Sequence, residues 1–154
     1  MIPPWTRPEA ILQSLRIQRS FHQWLGRDLV PPCADRLDAA TALFHAEKVV
    51  VSHGVEADPV LNYGNAKALE LWEMTWEELV QTPSRMTAEP VEQEERARLL
   101  GEVRIRGYTH GYAGVRVSRR GRRFRITGAT VWNLVDDAGA PAGQAAAFDS
   151  WEFL

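Results

Sequence analysis

Four histidines, one cysteine and a run of arginines carry most of the chemistry available to this chain of 154 residues. His22, His45, His53 and His110 are scattered, and no two stand at the four-residue helical spacing that makes a pair of imidazoles a zinc chelate. Cys33 is the sole cysteine, which excludes an internal disulfide and any metal site built on paired thiolates. No serine sits in a nucleophile-elbow sequence, and no glycine-rich phosphate loop precedes a helix. These residues form no catalytic constellation, and the expectation is a protein that is not an enzyme.

Arg116, Arg119, Arg120, Arg122, Arg123 and Arg125 are the densest charge cluster. If Arg120-Gly121 is a two-residue turn, Val115 and Val117 face Ile126 and Phe124, and Arg116 faces Arg125. Such a like-charge pair either splays into water, keeping a sheet edge soluble, or holds a carboxylate or phosphate between its members. The cluster lacks interleaved aromatic residues that could stack bases, which argues against nucleic acid. A net charge of −2 gives no reason to seek nucleic acid or an anionic membrane. Among six tryptophans, Trp72, Trp132 and Trp151 fall in or beside apparent core elements, where an indole serves packing or an aromatic ligand cage.

The elements that must position these residues follow from the rest of the chain. A hydrophobic content of 45% with 25% charged residues suits one ordinary globular core. No run of 18 apolar residues and no basic-then-apolar leader occurs, so the expected location is the cytoplasm. Ile11, Leu12, Leu15, Phe21, Trp24 and Leu25 recur at three- and four-residue intervals, which predicts an amphipathic helix over 8–29 that ends at Pro31-Pro32. Residues 1–34 thus read as a helical extension with a proline elbow, and 35–154 as the main domain. A second helix over 35–46 leads to a β-branched strand at 49–51 and a second short strand at 60–63.

Asn65 is a natural cap for a helix ending at Trp72, and Thr75 with Glu78 has capping-box spacing. The segment 84–89, bracketed by prolines, cannot be a long regular element. Residues 92–106 read as the longest helix after the first, with Glu92/Arg96, Glu94/Arg98 and Glu102/Arg106 four apart, and Gly107 closes it. Three strands at 112–118, 124–135 and 144–148 then form an antiparallel meander.

This order, with Leu61-Asn62-Tyr63-Gly64-Asn65-Ala66 and Thr75-Trp76-Glu77-Glu78-Leu79, resembles the PAS fold, an α+β design in which short helices flank a curved antiparallel sheet. The stretches Val51-Ser52-His53-Gly54, Pro83-Ser84-Arg85-Met86-Thr87, Gly121-Arg122-Arg123-Phe124, Val131-Trp132-Asn133-Leu134 and Gly143-Gln144-Ala145-Ala146 resemble the MEKHLA domain family across nearly the whole chain. That resemblance implies a PAS-related module, also present at the end of plant homeodomain leucine-zipper regulators, where it is thought to influence dimerisation. This chain has the look of the bacterial, stand-alone type.

The resemblance further implies a cavity lined by Trp72, Arg85, Met86, Tyr112, Arg116, Trp132 and Gln144. Flavin chemistry of the light-oxygen-voltage kind calls for a cysteine within 82–87, and there is none; Gln144 alone matches a position that flavin-binding relatives use. For haem, His110 in the turn after the long helix is the sole candidate. Neither cofactor is expected.

Three functions stay open. The first is a sensory module that binds a small molecule in a pocket of a few hundred Å³ and relays to an unidentified signalling partner. The second is an interaction module with a filled core, a homodimer through the N-terminal helix with Phe21, Trp24 and Leu25 in the contact. The third is an enzyme on a cone-shaped α+β fold using Asp58 or Asp149 as general base.

Overall fold

The structure is a computed structural model that describes residues 2–154. Its helices are α1 (Pro8–Leu25), α2 (Arg36–Phe44), α3 (Ala66–Trp72), α4 (Trp76–Leu79) and α5 (Pro90–Arg106), with short 3-10 turns at Pro4–Thr6 and Ser84–Thr87. Its strands are β1 (Val49–His53), β2 (Leu61–Gly64), β3 (Tyr108–Val117), β4 (Arg123–Val135), β5 (Pro141–Phe148) and β6 (Ser150–Phe153). They form one antiparallel sheet in the order β2-β1-β5-β4-β3, with β6 pairing the first part of β4.

Along β1, most of β5 and the second half of β4 both faces of this sheet are largely buried, which accounts for the apolar strands there. On one face Val50, Trp132, Leu134, Ala145 and Ala147 pack with Ile17 and Phe21 of α1 and Leu43 of α2. On the other, Val49, Phe124, Ile126, Ala129 and Phe148 pack with Ala68, Leu71 and Trp72 of α3. The side-chain alternation of β4 breaks at Gly128, whose φ of +65° an L side chain rarely adopts, so Phe124 and Ile126 share a face with Ala129 rather than with Trp132.

Helix α1 begins at Pro8 and closes at Gly26 in the left-handed conformation, ahead of the proline pair expected to stop it. Its apolar stripe is consumed by the chain's own sheet. Phe21 meets Trp132 edge-on at 4.9 Å. The Trp132 indole donates to Ile17 O at 3.3 Å, Trp24 donates to Asn133 O at 2.9 Å, and Ser20 Oγ accepts from Val135 N at 3.0 Å. Phe21, Trp24 and Leu25 thus meet the core, and the exposed stripe that suggested a homodimer contact is not present on this helix.

Asn65 caps α3 as its position suggested, but the cap is the smaller part of its role. Fully buried, it accepts from Ala68 N at 3.1 Å and Val50 N at 3.0 Å, and donates to Leu43 O at 3.2 Å and Lys48 O at 2.8 Å. Thr75 and Glu78 form the expected capping box of α4. Helix α5 is tied to the sheet from below. Asn133 Nδ2 donates to Val103 O at 3.0 Å and Arg104 O at 3.1 Å, and Gln144 Nε2 donates to Leu100 O at 2.8 Å.

The β3–β4 hairpin differs from expectation by one residue. Ser118 N donates to Arg122 O at 2.9 Å and Gly121 N to Ser118 O at 3.0 Å, so the loop is Arg119, Arg120 and Gly121, with Gly121 at φ +89°. A three-residue loop with a left-handed glycine replaces the two-residue turn. Arg116 therefore lies opposite Phe124, and Val115 opposite Arg125. A slip of one residue exchanges the two faces of a strand, and here it carries Arg116 from the exposed side to the packed one. The tip of this hairpin is docked on the end of α3: Arg119 N donates to Trp72 O at 3.0 Å, and Ser118 Oγ donates to Glu73 Oε2 at 2.6 Å.

The Asn65→Ala variant strands the buried Val50 N–H and two carbonyls. At about 1–3 kcal/mol for each unsatisfied group, the expected loss is at least about 3 kcal/mol in urea unfolding; a loss below about 1 kcal/mol would mean that water replaces the side chain.

Candidate functional site

A cavity of about 60 Å³ lies between the sheet and the helical layer, walled by β1, β3, β4, β5, Trp72 of α3, the 84–87 turn and α5. Val51, Leu99, Ile126, Val131 and Phe148 make its surface mainly apolar. Into this lining the fold sets six large polar or amphipathic side chains, His53, Trp72, Arg96, Tyr112, Arg116 and Gln144, together with the hydroxyls of Ser52, Ser84 and Thr87.

Arg116 is 7% exposed. Its guanidinium donates to Val115 O and to the Tyr112 hydroxyl, both at 2.8 Å, and lies 5.4 Å from the centre of the Tyr112 ring. Gly114, between them on the strand, leaves the space this contact needs, since a Cβ there would stand 2.5 Å from the Tyr112 hydroxyl and 3.1 Å from Arg116 Nη1. Arg96 reaches the same cavity from α5 and donates to Ser84 Oγ. Burial, and after it the nearby charge of Arg116, push the Arg96 guanidinium down to about 10, so it is a cation at neutral pH.

Among the described residues, no carboxylate forms an ion pair with Arg96 or Arg116. The expected Glu92/Arg96 pair does not close, because Arg96 turns inward. The outer arginines of the hairpin contrast with this. Arg119 meets Glu78 at 3.0 Å, Arg123 meets Glu89 at 2.6 Å, Arg125 meets Glu152 at 3.1 Å, and Arg122 lies 3.7 Å over the Phe153 ring.

Of the residues expected to line a pocket, Trp72, Tyr112, Arg116 and Gln144 come together here. Arg85, Met86 and Trp132 do not. Arg85 lies at the surface and pairs with Asp58 at 3.2 Å, Met86 is 51% exposed, and Trp132 faces α1 across the sheet. Their neighbours Ser84 and Thr87 line the cavity instead. His110 is exposed beside Tyr108, Cys33 is exposed, and Asp149 lies on the surface, so none of these enters the cavity. Among the described residues, no three His, Cys, Asp or Glu side chains are placed to hold a metal ion.

Sequence reasoning missed His53 and Arg96. Each had a periodic signal: His53 is two residues from Val51 on a buried strand, and Arg96 is three, four and seven residues before Leu99, Leu100 and Val103 on α5. His53 Nδ1 lies 2.9 Å from Gly54 O and so carries the ring proton, which leaves Nε2 a bare acceptor without a partner. The indole nitrogen of Trp72 is likewise buried without a partner.

Burial holds the His53 imidazole below its ordinary range; the Gly54 carbonyl opposes this, and the Arg96 charge adds to it. Above the unfolded value of 6.5 both states are neutral and the full stability is present. As pH falls below that value the unfolded chain takes the proton first, so stability is lost until the folded value is passed. Urea unfolding from pH 7.5 to 5 should therefore show a steeper decline for the native protein than for His53→Gln; equal slopes would count against a neutral His53.

Comparison with known proteins agrees with this architecture. The MEKHLA domain profile matches residues 12–153. The homeobox-leucine zipper protein ATHB-9 of Arabidopsis thaliana is 29% identical over 157 residues, and ATHB-14 of the same plant is 28% identical over 158. Each match covers 97% of this chain but only 18% of the relative, so the chain spans less than a fifth of the curated relatives' length. Among solved structures, a PAS domain from Colwellia psychrerythraea superposes with a TM-score of 0.63 at 14% identity, covering 76% of this chain and 94% of that one. The PAS domain of a LuxR-family transcriptional regulator from Burkholderia thailandensis, in complex with ethanol, gives 0.56 at 19% identity, covering 74% and 95%. With its profile matched from within α1 to the last strand, on a PAS-like α+β frame, this chain belongs to the MEKHLA domain family.

Proposed function

We propose that the domain is a non-enzymatic regulatory module that admits a small molecule to the cavity beneath α5 and relays its presence to a partner protein. The observation that carries this reading is the pair of unpartnered polar atoms, His53 Nε2 and Trp72 Nε1, on residues that line an otherwise apolar cavity. A buried polar atom left unpaired costs about 1–3 kcal/mol, and an occupant offering a donor and an acceptor removes that cost.

The cavity is much smaller than the few hundred Å³ expected. At about 60 Å³ it has room for roughly four or five water-sized groups. The occupant is accordingly a molecule of a few heavy atoms, not a flavin or haem. The ethanol complex of the Burkholderia PAS domain supports the idea that this fold takes molecules of that size.

The same small volume favours the second reading, an interaction or dimerisation module whose core is filled. The placement of matching segments within longer homeobox-leucine zipper proteins supports it as well. The enzyme reading has less support, since Asp58 is paired with Arg85 at the surface and Asp149 is exposed.

Native mass and near-ultraviolet spectra of the freshly purified protein, followed by amide and indole NMR during titration with small alcohols, amides and carboxylates, separate the two. A saturable shift of the Trp72 indole N–H signal, or a copurifying mass, is the expected result. An unmoved indole across the whole set, with a concentration-dependent dimer mass, would transfer the assignment to the interaction module.

A further inference from the structure

We propose that the cavity is a site for a short-chain monocarboxylate whose carboxylate sits between Arg96 and Arg116. This rests on the reading of the cavity as a ligand site and names the ligand class.

Charge comes first. Two guanidinium groups from different elements, Arg116 on β3 and Arg96 on α5, border one cavity with no acid to balance them among the described residues. The lack of an acid is local, because Arg119, Arg123 and Arg125 a few residues away each have a glutamate. One buried cation and one half-buried cation bordering the same space are costly unless an anion is drawn in.

Donor count comes next. A guanidinium has five N–H bonds. Arg116 uses its contacts on Val115 O and Tyr112, and Arg96 on Ser84, so both keep donors in reserve. The Tyr112 hydroxyl accepts from Arg116, which frees its own proton for an anion. Trp72 adds an unpartnered indole N–H. Against these donors stands one bare acceptor, His53 Nε2. A surplus of donors on two forks matches the two oxygens of a carboxylate.

Shape decides the rest. Val51, Ile126 and Val131 give the cavity apolar walls that an inorganic anion does not fill, and about 60 Å³ admits a tail of one or two carbons. Acetate and propionate have that composition.

The test is NMR and calorimetric titration of the full chain at pH 7 with propionate, its neutral isostere propionamide, and inorganic phosphate, repeated on Arg96→Gln and Arg116→Gln. Propionate is expected to saturate the wild type, with propionamide and phosphate at least about tenfold weaker and each variant losing at least about tenfold in propionate affinity. Without ligand, both variants are expected to melt at or above the wild-type temperature, because a like-charge contact is gone; a merely structural arginine would lower it. Propionamide binding as tightly as propionate, or phosphate doing so, would overturn the carboxylate assignment while leaving the cavity a ligand site. Silence from all three, with neutral alcohols also silent, would remove the cavity reading itself. If a variant fails to fold, the propionate-to-propionamide ratio on the wild type still decides.

Discussion

The fold turns on how one buried asparagine replaces a strand. At Val50 the β1 backbone has β5 on one side, while the β2 ladder begins only at Val51. Asn65 takes over at that point: its backbone N–H donates to Val50 O and its Oδ1 accepts from Val50 N–H, both at 3.0 Å, so the ladder is closed by a residue that is already leaving the sheet. The same side chain reaches back to Leu43 O in the last turn of α2 and caps α3. With every polar atom of the amide used, the chain can drop from the sheet to the helical layer without stranding a backbone group. Gly64, just before it, lets α4 close in, since a Cβ there would stand 2.6 Å from Leu79 Cδ1.

What the sequence made legible was whatever obeyed local rules. The caps at Asn65 and Thr75, the long helix closed by Gly107 and the three-strand meander each depend on neighbours within a few positions. Where two arrangements satisfy the same local rule, sequence cannot choose. Gly121 suits a two-residue turn or a three-residue loop, and the arginines around it give no preference, yet the choice decides which face Arg116 occupies. Trp132 went to the wrong side for a related reason: both faces of the sheet are apolar, and Gly128 resets the alternation midway along β4.

The 84–87 turn shows the same limit at smaller scale. A 3-10 turn has three residues per turn, so positions three apart point the same way. Ser84 and Thr87 face the cavity together, and Arg85 and Met86 between them must face out. Strand β6 gave little signal because it is short and continues the line of β5: the β4 partners of both strands fall on one register, with Asp149 opposite Gly128 as the interruption. Helix α1, taken from sequence as an extension, is what lets the sheet bury its second face, and the family match begins inside it.

The docking of the hairpin tip on α3 gives the cavity an external handle. Trp72 presents its ring to the cavity and its carbonyl to the Arg119 amide, and the next residue, Glu73, takes the Ser118 hydroxyl while holding a φ of 56°. Rotating α3 to widen the interior must break these bonds or drag the arginine-bearing loop along. The surface charge pattern around Arg119 and Arg120 is in this sense geared to the wall of the cavity: a lever with its short arm inside the domain and its long arm in solvent.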